Sequence, residues 1–426
     1  MNKVKYALLL LFLINTARCY ALLPPLSQID AFKVITLEGE DIPWVIGWNL
    51  EELSLAAMVD GVMEPIPFQI DQYNTGGAIY FEGWHIPMAG KPEQMDGTDK
   101  LLFLFKDAGA RRPPRTPYDG EMVAEIVTRD QDGVERFVYL VRNSRLRSDE
   151  QYVRYSAEIG LVETDFYSLR YNQENHLKWD EFSCVNYLGD RPLDSLKLRL
   201  NTGIVTSVTN TELNNDQIIA LPTSEIIGPI RTTTQLEVNM YLFGVPIMKM
   251  SMQIHHYPKS IMFDVRGVIP ELRRRLMVNP TLTMSVDANH LLGAATYTSA
   301  WPDQPGIVDG VVDDNERQMI EAGLDPADNW IWVTSKRNLD IVAFVDYLGN
   351  FKEPMSLLYE DNLTRDDPPE MFPGQMPNVG YGIDSFPTNG FIGLVVSMFI
   401  SEKFVGDPEQ FAPYIRTLPA LEVRAM

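Results

Sequence analysis

The chain has 426 residues, of which 45% are hydrophobic and 22% are charged, a mixture typical of globular domains rather than disordered chains. This length allows a sizeable core and two or three domains. The 58 acidic residues against 36 basic ones give a net charge of −22. A field of that sign repels nucleic acid, so we expect no nucleic-acid partner, although it leaves room for a local basic groove.

The N-terminus has the three parts of a secretory signal peptide. Lys3 and Lys5 supply positive charge, residues 7–14 form an apolar run, and residues 19–21 (Cys-Tyr-Ala) fit a small-x-small cleavage pattern. The apolar run is too short to span a bilayer comfortably. We therefore predict that residues 1–21 are removed on export to the periplasm or the cell exterior, and that no transmembrane span remains.

Only two cysteines occur in the chain. Cys19 leaves with the signal peptide, so Cys184 stands alone and no intramolecular disulfide is expected. A lone cysteine is usually a small buried hydrophobe. Nucleophilic chemistry would require a base beside the thiol, and the sequence does not show that pairing.

Short strand-like runs separated by turns fill the first third of the mature chain. Residues 68–71 alternate apolar and polar side chains, as a half-buried strand does. Residues 101–105 are apolar on both faces, which predicts a central strand covered on both sides. Residues 122–128 and 136–141 flank a glycine-containing turn and predict a hairpin. We assign residues 22–145 to an N-terminal β-sandwich-like domain.

Alternating strands continue beyond a polar, charged stretch at residues 143–150. Residues 248–254 put three methionines and an isoleucine on one face, a pattern more typical of core packing than of a metal relay. We assign residues 146–426 to a larger β-rich domain.

Helix signals are scarce, and the clearest covers residues 313–322. Asp313 and Glu316 fit a capping box, and a glycine follows the segment. A short helical turn is also predicted within residues 270–276. The sequence thus predicts a mainly β fold of two β-sandwich-like units with few short helices.

Acidic and aromatic residues gather around the predicted central strand, and we take five of them as candidate ligand-binding residues: Asp71, Trp84, Asp96, Asp99 and Asp107. Acids at strand ends can bind Ca²⁺ or sugar hydroxyls, or act as general acid and base. An exposed aromatic ring can stack on a sugar. The same residue types also serve as ordinary turn formers and core aromatics. No catalytic residue is assigned.

A second acidic group lies in residues 309–316. It lacks the alternating ligand spacing of an EF-hand, and capping of a helix N-terminus accounts for the same acids. We keep Asp309, Asp313 and Asp314 as candidate calcium ligands. No other cofactor is expected, because the chain has no Walker loop, GxGxxG or CxxC motif.

Residues 67–71 (PFQID), 99–103 (DKLLF) and 106–109 (KDAG) together resemble a "PxQxD … DELxFxxxDxG" pattern. This pattern is similar to that of a largely uncharacterised family of exported β-sandwich proteins, some of them neighbours of polysaccharide-degrading enzymes. Lys100 departs from the pattern, which has an acid there. The resemblance implies export and a sandwich fold and assigns no catalytic residue.

Three functions are compatible with these observations. The first, favoured by the lack of a recognisable catalytic constellation, is an exported non-catalytic binding or structural protein of the cell envelope. The second is a polysaccharide hydrolase or lyase that uses Asp96, Asp99 or Asp107, and a glycosidase would need two carboxylates about 5–10 Å apart. The third is a carrier of an apolar ligand with a large cavity along the 248–254 face. The corresponding partners are a polysaccharide, an envelope protein or a lipid.

Overall fold

The structure is a computed structural model that describes residues 23–204, 206–275, 277–365, 377–384, 390–404 and 406–426. The predicted signal peptide lies outside this described part. Antiparallel strands dominate the described chain, and its helices are short. The predicted mainly β fold with few short helices is therefore confirmed.

The helices in the described ranges are brief connectors and caps. The α-helices are α1 (Gln28–Ala31), α2 (Glu271–Arg274), α3 (Asp314–Ala322) and α4 (Pro408–Arg416), and the 3-10 helices are η1 (Gly39–Asp41), η2 (Pro43–Val45), η3 (Leu50–Glu52) and η4 (Phe105–Asp107). None of these described helices is long and apolar enough to cross a membrane.

The predicted capping box begins α3. The N–H of Glu316 donates to the Asp313 side chain at 2.8 Å, and the N–H of Asp313 donates to the Glu316 side chain at 3.0 Å. The exchange gives partners to two backbone donors at the helix start. Gly323 ends the helix with φ at 67°, a conformation in which glycine is least strained. The predictions of both α3 and the short α2 are confirmed.

Two antiparallel sheets face each other in the first sandwich. Their strands are β1 (Val34–Glu38), β2 (Leu53–Val59), β3 (Val62–Pro65), β4 (Gln69–Asp71), β5 (Lys100–Leu104), β6 (Glu121–Arg129), β7 (Glu135–Arg142) and β26 (Ala420–Ala425). One sheet has the order β1-β5-β4 and the other β26-β6-β7-β2-β3. β6 and β7 form the predicted hairpin, with Thr128 opposite Arg136.

The second sandwich is larger and adds a small third sheet. Its strands are β8 (Val153–Ser156), β9 (Leu161–Thr164), β10 (Tyr167–Tyr171), β11 (Trp179–Cys184), β12 (Leu193–Ile204), β13 (Thr206–Leu213), β14 (Ile218–Ile227), β15 (Thr232–Leu242), β16 (Val245–His256), β17 (Ser260–Val268), β18 (Met277–Ala288), β19 (Ala295–Thr298), β20 (Trp301–Ile307), β21 (Ile331–Thr334), β22 (Asp340–Tyr347), β23 (Met355–Glu360), β24 (Asn378–Ile383) and β25 (Phe391–Ser401).

These strands form sheets of five, nine and four. The five-stranded sheet has the order β13-β12-β18-β24-β23, and the nine-stranded sheet runs β14-β15-β16-β17-β25-β22-β21-β19-β20. Their facing sides share one hydrophobic core, which the four-stranded sheet β11-β10-β9-β8 extends. The apolar face of β16 lies in this core, as its alternating pattern predicted. Each fully buried side chain of this kind contributes about 1.5–3 kcal/mol.

β5 is covered on both sides, as predicted. Leu101 and Phe103 point into the core of the first sandwich. Leu102 and Leu104 point the other way and pack against Tyr152, Ile230 and Tyr257, which belong to the chain after the first sandwich. One strand thus belongs to the first sandwich's core and also joins the two sandwiches.

The end of the chain returns to its beginning. Phe411 and Ile415 of α4 pack on Trp332 and Phe344, which lie on the outer face of the nine-stranded sheet. β26 then pairs with β6 in the first sandwich, with Val423 opposite Ile126. The first sandwich is therefore built from both ends of the chain.

A buried ion pair crosses the junction between the sandwiches. Nε of Arg231, which lies just before β15, donates to Oδ2 of Asp71 on β4 at 2.9 Å, and both side chains are almost fully buried. Gln69 donates to the second Asp71 oxygen at 2.7 Å and accepts the N–H of Arg231 at 3.1 Å. Removing one partner would leave a buried charge without compensation.

We expect Asp71→Asn to lower the free energy of unfolding by about 3–5 kcal/mol, because the guanidinium of Arg231 loses its counter-charge inside the protein. Urea unfolding monitored by tryptophan fluorescence measures this. The matched control is Asp60→Asn at an exposed turn, which should change stability by less than about 0.5 kcal/mol. Adding Arg231→Met to Asp71→Asn should restore part of the loss. If Asp71→Asn were as stable as Asp60→Asn, the buried pair of Asp71 and Arg231 would not stabilise the protein as described.

Candidate functional site

The structure does not gather the five predicted ligand-binding residues into one cleft. Both oxygens of Asp71 are held by Arg231 and Gln69. Asp96 accepts the N–H and hydroxyl of Thr98 at 2.6 and 2.8 Å, which is a turn-forming role. Trp84 is half-buried in the same long loop before β5. Ligand binding by these side chains stays a prediction.

Asp99 and Asp107 lie at opposite ends of β5. Asp99 accepts the N–H of Asp96 at 2.9 Å, and Asp107 accepts the hydroxyl of Tyr152 at 2.7 Å. Burial raises the pKa of each carboxyl to about 6. The five residues of the strand separate them by about 17 Å, well beyond the spacing of a glycosidase pair.

The candidate calcium ligands have roles at the start of α3 and in the loop before it. Asp313 caps the helix, Asp314 pairs with Arg317, and Asp309 accepts the N–H of Val311 at 3.1 Å. Within the described ranges, no group of three or more His, Cys, Asp or Glu side chains is arranged to hold a metal ion. Calcium binding here stays a prediction.

Cys184 does not have the environment of a nucleophile. Burial raises the pKa of its thiol to about 12, so the reactive thiolate is disfavoured. Burial also lowers the pKa of His176 to about 4, which keeps that imidazole neutral at physiological pH. The view of Cys184 as a small hydrophobe is consistent with this environment.

A different set of residues forms a site that sequence reasoning missed. On the five-stranded sheet, side chains that alternate with the core residues point away from the core, and most of them are polar. We call this set the polar face, and its members are Ser195, Lys197, Arg199, Thr283, Ser285, Asp287, Ser356, Glu360 and Asn378. Six of the nine are less than 9% exposed, which is unusual for an outward-facing polar surface.

Strand register places four of these side chains in one row. Ser195 on β12 lies opposite Asp287 on β18, Asp287 lies opposite Asn378 on β24, and Asn378 lies opposite Glu360 on β23. Neighbouring strands are about 4.8 Å apart, so the row spans about 15 Å. Asp287 and Glu360 are two strands apart, with about 10 Å between their backbones.

A buried ion pair lies beside this row. Lys197 sits two residues along β12 from Ser195, and its Nζ is 2.8 Å from Oδ2 of Asp287. The two side chains are only 1% and 2% exposed. Removing both charges from water costs several kcal/mol per ion, which makes this pair a poor device for stability alone. The pair places one charged group of each sign beside the row.

Several buried polar atoms of this region have no hydrogen-bond partner among the described residues. They are Oγ of Ser195, Oδ1 of Asn378, and both side-chain polar atoms of Asn289, which immediately follows β18. Asn289 is held near the row by its backbone N–H, which donates to the Pro192 carbonyl at 2.9 Å. An unmet buried donor or acceptor costs about 1–3 kcal/mol, and native proteins usually keep such groups only with a reason.

Glycines keep the centre of the polar face free of side chains. A Cβ at Gly380 would lie 2.1 Å from the Met284 carbonyl oxygen, and one at Gly382 would lie 2.3 Å from the Ser356 hydroxyl. At Gly380 the obstacle is backbone, so only glycine fits there, whereas at Gly382 the Ser356 hydroxyl would have to rotate away. β24 therefore contributes Asn378 at one end of the face and bare backbone beyond it.

The polar face combines an ammonium, carboxylates, hydroxyls and amides on rigid strands. Carboxylates accept hydrogen bonds, the lysine donates them, and amides do both. Such a set matches a ligand that carries many hydroxyl groups, each a donor and an acceptor.

No family model and no curated protein matches this sequence. Among solved structures, the chain is similar to an alpha-N-acetylgalactosaminidase from Bifidobacterium bifidum in complex with GalNAc (10% identity, TM-score 0.36, 57% of this chain and 36% of that one). It is also similar to an alpha-mannosidase from Enterococcus faecalis V583 (9% identity, TM-score 0.48, 92% of this chain and 44% of that one). A third similar structure is a putative mutarotase from Salmonella typhimurium (8% identity, TM-score 0.27, 61% of this chain and 94% of that one). The chain spans less than half the length of the first two, and these similarities are too remote to indicate a function.

The raised pKa of Asp107 gives a pH-dependent prediction. The folded-state value of about 6 exceeds the unfolded-state value of about 3.9, so the stability tied to its protonated form is complete below about pH 4 and is lost as the pH rises through 6. Asp107→Asn keeps an acceptor for Tyr152 and never ionises. We expect the variant to gain about 1–2 kcal/mol over the wild type between pH 4.5 and 7.5, measured by urea unfolding.

The control for this experiment is Asp132→Asn, which lies in the exposed turn between β6 and β7. Its stability difference from the wild type should change much less over the same pH range. A difference for Asp107→Asn that is independent of pH would show that burial does not raise the pKa of this carboxyl.

Proposed function

We propose that this chain binds a carbohydrate on the polar face of the five-stranded sheet and does so without turnover. The observation that carries the proposal is the row of Ser195, Asp287, Asn378 and Glu360 across four adjacent strands. We retain export to the periplasm or the cell exterior as part of the proposal, on the pattern of residues 1–21.

The composition of the row supports a sugar rather than another polar ligand. Sugars present closely spaced hydroxyls, and the row supplies carboxylate, amide and hydroxyl partners about 4.8 Å apart. Ser195, Asn289 and Asn378 also carry buried polar atoms that have no partner in the described chain, and a sugar hydroxyl that reached them would supply one. Because the strands hold these groups in place, little conformational entropy is lost on binding.

The dimensions of the core argue against the apolar carrier. The cavity beside Met250 and Met252 measures about 30 Å³, and the neighbouring cavity between the sheets, lined by Phe263 and Met284, measures about 70 Å³. Sites for drug-sized ligands occupy about 300–1,000 Å³. The methionine face therefore fills the core and leaves no room there for a lipid chain.

Binding is tested by thermal shift and calorimetry against oligosaccharides of pectin, xylan, cellulose and alginate. A sugar at 100 times its Kd should add about 2.7 kcal/mol of apparent stability. Asn378→Ala should then weaken binding about 10-fold, since it removes one hydrogen-bonding group from the row.

Asn239→Ala is the matched control, because Asn239 also lies on a strand and belongs to the nine-stranded sheet. Its sugar affinity should equal that of the wild type. An Asn378→Ala protein that binds the sugar as tightly as the control would show that the site lies elsewhere.

Hydrolysis is the second candidate, and one observation favours it. Asp287 and Glu360 point from the same face at a backbone separation of about 10 Å, near the 6.5–9.5 Å carboxyl spacing of inverting glycosidases. Both carboxylates already have cationic neighbours, since Lys197 lies 2.8 Å from Asp287 and Arg365 lies 2.5 Å from Glu360. In a glycosidase one of the two carboxyls must be protonated to act as the general acid. A neighbouring cation favours the ionised carboxylate, so this pairing weighs against hydrolysis.

Turnover separates the two candidates. If the pair is catalytic, the wild type should release reducing ends from the polysaccharide that it binds, and Glu360→Gln should lower the rate by about 10²–10⁴ while it retains binding. Glu64→Gln, on the exposed strand β3, should leave the rate unchanged. Binding without reducing-end release by the wild type would reject hydrolysis and leave the binding role.

A further inference from the structure

A cavity of about 290 Å³ lies where the two sandwiches meet, on the outer side of the nine-stranded sheet. We call it the seam cavity. The segment from α1 to β1 forms one wall, β17 and β25 form the floor, and α4 closes the far side. Most of its lining is apolar and includes Ile29, Phe32, Met262, Phe399, Phe404 and Ile415.

Among the described residues, one cation of this cavity has no carboxylate within ion-pair distance. Lys259 lies in the turn between β16 and β17 and is 9% exposed. Its Nζ lies 4.1 Å from the ring centroid of Phe166 and 5.4 Å from that of Phe32. Within the described part of the chain, this Nζ donates a single hydrogen bond, to the neutral Oε1 of Gln28 at a long 3.3 Å.

The other two cations of the cavity are already compensated. Lys33 lies 2.8 Å from Asp30, and Arg416 pairs with Asp346. Among the residues that the structure describes, no carboxylate oxygen lies within 4.0 Å of Lys259 Nζ. Burial lowers the pKa of Lys259 to about 8, so its ammonium form still prevails at neutral pH despite the cost of desolvation.

The charge of Glu402 acts on Lys259 and raises its pKa against the larger effect of burial, but no described carboxylate contacts the ammonium. A buried ammonium without a carboxylate in contact is expensive for the folded protein. The aromatic rings recover part of this cost through cation–π contact. A ligand that brings one negative charge into the cavity recovers much more, since a charged hydrogen bond contributes more than a neutral one. The ligand's remaining surface must be apolar, because it would lie against Phe399, Phe404 and Ile415.

We propose that the seam cavity binds a small organic monocarboxylate with an apolar body. The carboxylate pairs with Lys259, and the apolar part packs between α4 and the sheet. The volume of about 290 Å³ is at the lower end of small-molecule sites and suits an acid of modest size. The two probe classes are an alkyl acid and an aromatic acid, and they share this chemistry.

The site is separate from the polar face. The seam cavity lies on the outer face of the nine-stranded sheet, whereas the polar face lies on the outer face of the five-stranded sheet, with the shared core between them. The proposal therefore does not depend on sugar binding, and each of the two can fail alone.

The test is calorimetry of the mature chain with octanoate and benzoate, each compared with its uncharged amide. At pH 7 we expect at least one acid to bind, and its amide to bind about 10–100-fold more weakly because it lacks the charge. Lys259→Met should reduce the affinity for the acid by the same factor and leave that for the amide nearly unchanged. Its thermal stability should not fall, because the variant removes a buried charge that no described carboxylate contacts.

The matched control is Lys249→Met on β16, whose side chain is 54% exposed and paired with Glu237 outside the cavity. It should bind the acid as the wild type does. The proposal is overturned if neither acid binds the wild type at millimolar concentration, if the amide binds as tightly as the acid, or if Lys259→Met binds the acid unchanged.

Discussion

The burial of β5 on both faces is the constraint on which the rest of this structure depends. Leu101 and Phe103 complete one core, while Leu102 and Leu104 form the joint to the second sandwich. A strand without a solvent face cannot slip by one residue or tilt without disturbing two packed layers at once. The Asp71–Arg231 pair crosses the same joint. Because its buried hydrogen bonds need a defined geometry, the pair also fixes the position of β4 relative to the start of β15.

With this joint fixed, the second sandwich uses the outer sides of its two large sheets differently. The five-stranded sheet presents the polar face, with the Lys197–Asp287 pair beside the row of four side chains. The nine-stranded sheet presents apolar and aromatic surface that α4 and the first sandwich cover, and one buried cation remains there. Both surfaces keep charged or polar groups away from water, and that arrangement lowers stability. Such costs are typical of places where a protein meets a ligand.

The sequence predicted the fold better than the site, and the reason is the range over which each signal acts. A capping box, a hairpin turn and a run such as residues 101–105 are local patterns, and all three proved correct. The polar face is assembled by register between strands far apart in the chain, so Ser195 and Asn378 become near neighbours only after the sheet has formed. Lys197 alternates with leucines and looks like a solvent-facing lysine, and nothing in that pattern reveals its burial. The acids around β5 were predicted as ligand-binding residues because the sequence does not distinguish an acid that forms a turn from one that binds a ligand.

The pairing of β26 with β6 has a consequence for how the protein is made. The sheet of the first sandwich has an open edge along β6 until residues 420–425 pair with it. Contacts between the two ends of a 426-residue chain are of very high sequence separation and form slowly. Until this pairing forms, the edge of β6 presents unpaired N–H and C=O groups to which a strand of another molecule can add, so β26 also protects the sheet from aggregation.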